Sequence, residues 1–181
     1  MESTRGQLLI AAPKMSDPNF FRAVILVIEH SDEGALGLVL NQPSESTVGE
    51  ATPQLTHFAD EYDEVLVGGP VAQSGVIVLG DFEDPDEAAV IAFGTVGVLS
   101  AGTSVEGPSG GLRRARVFAG HSGWGPGQLD GEVERGDWII EPASYEDAFT
   151  ETPDELWSAV LDRKGGSYAL VARMPEHPEL N

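Results

Sequence analysis

Apolar positions in this chain come in short runs broken by turn residues, with only one clear helical stripe. Gln7–Ala11, closed by Pro13, predicts a first strand, and Lys14–Asn19, carrying Asp17-Pro18, predicts a loop. Ala23–Ile28 is unbroken, apolar and rich in β-branched residues, the pattern of a strand covered on both faces. Ser31–Gly34 then turns the chain into a second strand, Ala35–Leu40, ending at Asn41, so the two read as a hairpin. Thr47 and Glu50 stand at capping-box spacing and predict a short helix that Pro53 breaks or kinks. Val65–Val67 predicts a short strand running into a Gly68-Gly69-Pro70 turn, and Gly75–Gly80 predicts another. Asp81–Glu87 holds five acids in seven positions and reads as a solvated loop.

Ala88–Phe93 and Thr95–Ser100 predict two short strands, or one strand bulged at Gly94, and Gly102–Gly111 predicts a flexible stretch. Arg114–Ala119 alternates as a strand does, Gly120–Gly127 reads as a Gly-rich loop, and Gln128–Arg135 predicts a short helix. Trp138–Ile140 predicts a strand. Pro153–Arg163 is the best helix: Pro153 suits the first turn, Asp154 and Glu155 favour the N-terminal dipole, and Leu156, Val160 and Leu161 share a face. Gly165-Gly166 ends it, and Tyr168–Val171 predicts a closing strand. Many short strands with few helices argue for an α+β fold and against a doubly wound sheet.

Composition narrows this further. The 181 residues suit a single domain, expected over 1–174, with 175–181 a flexible C-terminal tail. Cysteine is absent, which excludes disulfides, thiol nucleophiles and thiolate zinc sites. Ten Lys and Arg against 30 Asp and Glu give a formal net charge of −20, and no Lys or Arg lies between Ala23 and Leu112. Such a surface repels nucleic-acid phosphates and anionic lipid alike, so neither nucleic acid nor a membrane is the expected partner. No apolar run approaches the length of roughly 20 residues that spans a bilayer, and no early segment reads as a targeting signal. The expected location is the cytoplasm.

Four blocks give the chain a family likeness. They are GQLLIAAPKMSDPNFFRAVILVIEH from Gly6 to His30, GALGLVLNQP from Gly34 to Pro43, VGGPV from Val67 to Val71, and FAGHSGWGPGQLDGE from Phe118 to Glu132 with Gly136-Asp137-Trp138 after it. In order and spacing they resemble the bacterial YqgE/AlgH family. The resemblance implies an α+β fold built on a bifurcated, barrel-like mixed sheet. The family's loose label, transcriptional regulator, is not a mechanism, and the resemblance carries no catalytic or cofactor residue to this chain.

Several constellations invite chemistry, and most fail on their own terms. Gly120-His121-Ser122-Gly123-Trp124 resembles a nucleophile elbow, but the elbow needs a small residue where Trp124 stands. Glycines at 120, 123, 125 and 127 free backbone amides for an anion, with Pro126 suited to the first turn of the following helix. Yet neither the P-loop nor the dinucleotide fingerprint is present. Glu29 and His30 are adjacent and so face opposite ways on a strand. His30 near His121 is the better pairing for a proton relay or, with a carboxylate, a metal; satisfied histidines at strand ends are the plainer reading. Arg114 and Arg116 share a face and with Arg22 form a possible anion patch, against the plainer reading of charge compensation.

No catalytic set is complete, no cofactor is implied, and the oligomeric state is not written in the residues. The sequence therefore favours a non-enzymatic binding or regulatory protein that recognises a partner protein or small ligand. Its candidate surface is Glu29, His30, Asn41, Gly120, His121, Ser122, Gly123, Trp124, Gly125 and Gln128. The alternative is a small-metabolite enzyme with His30 or His121 as general base, and direct DNA binding is the weakest reading.

Overall fold

The computed structural model describes residues 2–99 and 111–176. Apart from Gly111, the stretch expected to be flexible at Gly102–Gly111 lies outside the described residues, as does the tail beyond residue 176 with His177.

The hairpin foreseen at residues 23–40 is the centre of the sheet. Strands β2 (Val24–Ser31) and β3 (Gly34–Val39) pair antiparallel, with a register shift between Val27 and Glu29. Val24–Ile28 is buried along its whole length, as a run without polar alternation requires. β1 (Gln7–Ala11) pairs with β2 on one side and β10 (Trp138–Pro142) on the other, so the first and last strands lie side by side.

A long strand, β9 (Leu112–Trp124), forms the spine of the other half. It carries β6 (Val71–Phe82) antiparallel along one flank, and beyond β6 come β8 (Val96–Val98) and β7 (Val90–Phe93). Its other flank is shared. Residues 122–124 pair antiparallel with β3, whereas Phe118 and Ala119 pair parallel with β5 (Glu64–Val67), which pairs in turn with β4 (Pro43–Thr47). The sheet therefore forks at β9, in the order β10-β1-β2-β3-β9-β6-β8-β7 with β4 and β5 on the branch.

Gly68 sits in the crotch of the fork. Its N–H donates to Ala119 O and its carbonyl accepts from Val39 N, both at 2.9 Å. Any side chain there would strike the main chain, since a Cβ would lie 2.4 Å from Gly120 O. The sheet curls until β7 packs against β2 but does not close, because no ladder joins its end strands β10 and β7.

Three cores follow from this curl. The largest lies inside it, built on Leu8, Ile10, Leu26, Leu38 and Phe118, and is covered by helices. A second packs Leu9, Ile25, Val39, Trp124 and Trp138 on the opposite face of the hairpin half. A third joins Val48, Val65, Val78 and Val117 under the branch. Each fully buried aliphatic or aromatic side chain contributes about 1.5–3 kcal/mol relative to exposure, so the largest core outweighs any polar contact in the molecule.

The helices follow their local signals closely. Thr47 caps α1 (Val48–Ala51) in a reciprocal box with Glu50, and a 3-10 turn at Pro53–Leu55 follows where Pro53 stops the helix. α2 (Gln128–Glu134), α3 (Tyr145–Ala148) and α4 (Pro153–Lys164) come next. α4 buries Leu156, Trp157, Val160 and Leu161, and the Trp157 indole donates to Ala11 O at 2.9 Å.

Four local expectations are corrected. Residues 120–124 are strand, not loop; the Gly120 φ of +73 lets β9 continue past a point where Gly69 O and Val71 O stand 2.7 and 2.9 Å from where a Cβ would be. Pro126 precedes Gly127, the cap of α2, and so falls outside that helix. Asp81 and Phe82 end β6 as buried residues, with the Asp81 carboxylate receiving the Thr95 hydroxyl at 2.5 Å, so only the acids after them form the exposed turn. Tyr168–Val171 lies within α5 (Ser167–Val171), not a strand. Gly165 and Gly166, both at positive φ, fold the segment back onto α4, where a helix satisfies its own main chain.

Candidate functional site

A depression among the described residues opens at the turn end of the β2–β3 hairpin. It is a cleft of about 440 Å³ lined by Arg5, Glu29, His30, Ser31, Glu33, Gly34, Ala35, Leu36 and Trp124. The sheet register assembles it, since His30 stands opposite Ala35, and Ala35 opposite Trp124. A smaller hollow of about 240 Å³, bounded by Ser3, Ser31, Asp32 and Asp130, lies on the far side of the His30 ring.

His30 is a wall between these hollows, and its side chain is only 6% exposed. The Thr4 N–H donates to Nδ1 at 2.9 Å, and the Thr4 hydroxyl stands 3.0 Å from the same nitrogen. A ring nitrogen that accepts a backbone N–H carries no proton, so the neutral ring holds its proton on Nε2. Nε2 faces Asp130 Oδ1 at 2.9 Å, out of line for a hydrogen bond, so the contact is electrostatic and that buried oxygen has no donor. Asp130 is presented by α2, whose start is tied down by Gln128 Oε1 accepting Gly125 N–H at 3.0 Å.

Trp124 forms part of the cleft wall. It is 7% exposed and meets Trp138 edge-on at 6.4 Å between ring centroids, so it packs on the core, not on an exposed loop. Glu29 and Glu33 reach the cleft with carboxylates that make no ion pair or hydrogen bond among the described residues. Opposite them, Arg5 donates Nε and Nη2 to Ile91 O of β7, the first at 2.7 Å, which orients its guanidinium and leaves Nη1 without a partner among the described residues.

Of the residues singled out from sequence, the fold brings Glu29, His30 and Trp124 into the cleft and sends the others elsewhere. Asn41 lies at the opposite end of the hairpin. Its side chain accepts Val24 N–H at 2.9 Å and donates to Arg22 O at 2.8 Å, clamping Arg22 in a left-handed backbone with φ of 53. Ser122 is fully buried and donates to Gly68 O at 3.1 Å, which makes it a pin of the fork. His121 stands opposite Val71 of β6, three residues along β9 from Trp124, so His30 and His121 do not meet. Gly120 lines the fork, Gly123 is exposed, and Gly125 and Gln128 bond one another to start α2.

The arginine cluster is occupied by its surroundings. Arg113 pairs with Asp81 at 3.5 Å and Arg114 with Glu151 at 3.1 Å. Arg116 donates twice to Thr150 O, and burial pulls its guanidinium below the ordinary range. Arg22 is remote from all three, stacked on Trp157 at 4.3 Å and donating to Met174 O. No group of three or more His, Asp and Glu side chains converges among the described residues in a way that holds a metal, and no described helix is long and apolar enough to cross a membrane.

The sequence reading missed Thr4, Arg5, Glu33 and Asp130. Thr4 and Arg5 precede the first strand in an irregular segment, and only the curl of the sheet brings Arg5 to Ile91. Asp130 could have been found, since it is the acid nearest the start of the short helix predicted after Trp124.

Comparison with known proteins places the chain among relatives. The AlgH-like family model matches residues 8–169. A UPF0301 protein of Thermobifida fusca is 38% identical over 99% of this chain and 96% of its own length. One from Chlorobaculum parvum is 42% identical over 97% and 95%. Among solved structures, a crystal structure from Corynebacterium diphtheriae superposes with a TM-score of 0.86 at 29% identity, covering 96% of this chain and 94% of that one. The solution structure of the AlgH protein from Pseudomonas aeruginosa gives 0.71 at 28%, covering 96% and 95%.

Proposed function

The chain belongs to the AlgH-like family, and we propose that it is a non-enzymatic recognition protein that engages a partner protein or small ligand at the hairpin cleft. The observation that carries this reading is the state of His30. A general base needs a lone pair open to substrate, and the one lone pair of this ring is taken by Thr4 N–H while Nε2 faces Asp130. The cleft thus offers charged and aromatic groups for contact without a free proton acceptor of the histidine type. Its wide mouth suits recognition better than a reaction that must exclude water. His121, the other proposed base, lies outside the cleft lining.

Because the chain has no cysteine, a single thiol can be placed at will. Glu33→Cys at the cleft and Glu155→Cys on α4, each carrying a photoreactive maleimide, are to be irradiated in lysate of the source bacterium, beside a thermal-shift screen of metabolites. The expected result is a discrete adduct or a stabilising ligand specific to the cleft, lost on competition with unlabelled protein. Identical adduct patterns at both positions, with no stabilising ligand, would sink the proposal. Metabolite turnover that disappears in His30→Gln would transfer the assignment to the enzyme reading.

A further inference from the structure

We infer that the ligand of this cleft is a zwitterion, a carboxylate and an ammonium carried together on one small molecule or one short peptide segment, an inference that rests on the recognition reading above. Its basis is which charges the fold leaves unpaired. Seven of the ten Lys and Arg side chains are ion-paired with carboxylates: Lys14, Arg113, Arg114, Arg135, Arg163, Lys164 and Arg173. The other three, Arg5, Arg22 and Arg116, bond to main-chain carbonyls. Arg116 is largely buried, and Arg22 lies under Met174 against Trp157. Only Arg5 lines the cleft.

In a chain with three times as many acids as bases, an exposed guanidinium without a carboxylate is unusual. The carbonyl of Ile91 turns Arg5 and fixes its fork without neutralising it. The same cleft holds Glu29 and Glu33, which have no cation among the described residues. Opposite charges therefore share one cleft and are not paired with each other. A simple anion would satisfy Arg5 and be repelled by the two glutamates, and a simple cation would meet the converse. A molecule bearing both signs is attracted at both ends, and discrimination against singly charged competitors follows from the repulsion as much as from the attraction. Trp124 and Leu36 add apolar surface to the lining. A volume of about 440 Å³ admits a free amino acid or a short piece of peptide.

The test is a 1H–15N NMR titration of the full-length protein at fixed ionic strength with an isosteric series. L-Alanine carries both charges, N-acetyl-L-alanine only the carboxylate, and L-alaninamide only the ammonium. The peptide acetyl-Lys-Ala-Glu-amide offers the same pair from side chains. The expected result is saturable shifts of the Arg5, residue 29–36 and Trp124 indole signals with L-alanine or the peptide. Each singly charged analogue should bind at least about tenfold more weakly, the loss expected for one charge-assisted contact.

Glu29→Gln combined with Glu33→Gln should erase the preference over N-acetyl-L-alanine, and Arg5→Gln the preference over L-alaninamide. The glutamate double variant touches no contact in the fold, so it remains decisive if Arg5→Gln disturbs the spectrum. Binding of L-alanine alone identifies a free amino acid, and binding of the peptide alone identifies a protein surface. Equal binding of the singly charged analogues, or no cleft shift with either zwitterion, overturns the inference. Cleft-specific capture in the photocrosslinking experiment would survive that failure, which keeps the two proposals separable.

Discussion

Glycines that look like loop signals are, in this molecule, sites of close backbone approach. Gly68 has main chain 2.4 Å from the position of a would-be Cβ, and Gly120 has it at 2.7 Å, whereas Gly123 has nothing within 4 Å. Gly68→Ala should therefore destabilise the protein by about 3 kcal/mol, because neither side of the fork can retreat. Gly123→Ala should stay within about 0.5 kcal/mol. Urea denaturation of the two variants checks this, and equal midpoints would refute the contrast. The same reasoning explains why the candidate site was only half legible. Glu29 and His30 were singled out at a strand end and Trp124 as an aromatic, and the three line one cleft. Asn41 was chosen as a strand end like Glu29 and His30, and Ser122 and Gln128 by neighbourhood in sequence, although each spends its polar atoms on its own backbone surroundings.

At the scale of elements, the sequence was most informative where a signal was local. The Thr47 cap, the Pro53 stop and the buried run of β2 need only a few consecutive residues, and each was placed within a residue or two. Length and partnership were harder to read. β6 and β9 extend well beyond the runs predicted for them because pairing with each other sustains residues of weak strand preference. α3 went unpredicted, at four residues too short to show periodicity, yet it anchors the C-terminal helices. Asp147 completes the Ser144 capping box and receives both terminal nitrogens of Arg163 at 2.9 and 2.8 Å, and this contact raises the Arg163 pKa. Asp147→Ala should cost about 2–4 kcal/mol, between the loss of a cap and the breaking of a fully buried pair, since Arg163 keeps part of its solvation. Hydrogen exchange should report loosening of α4 and α5 before the hairpin; uniform loosening would contradict a local anchor.

For the molecule as a whole, 30 acids against ten bases set the dominant electrostatic term. The seven ion pairs lie mostly at the surface, where each contributes about 0–1 kcal/mol, so salt has little to take away. Repulsion among the surplus carboxylates opposes the compact state and is screened as the Debye length falls from about 30 Å at about 0.01 M to about 3 Å at about 1 M salt. The thermal midpoint should therefore rise with sodium chloride across that range, by at least about 3 °C, in a calorimetric or fluorescence melt. A falling midpoint would mean that the ion pairs outweigh the repulsion. The forked sheet itself was reached through family likeness, since no single-sequence pattern announces which strands share a flank.

That fork also fixes an order of events at the ribosome. β9 is the shared spine of both branches, yet it is made after β3, β5 and β6, and β10, the second partner of β1, is made later still. Until residue 124 has emerged, the hairpin and the β4–β5 branch have no common strand to join them, and their apolar faces stay uncovered. Assembly of this sheet is therefore dominated by distant pairings, which form slowly because the intervening loops must close before the contacts reward them.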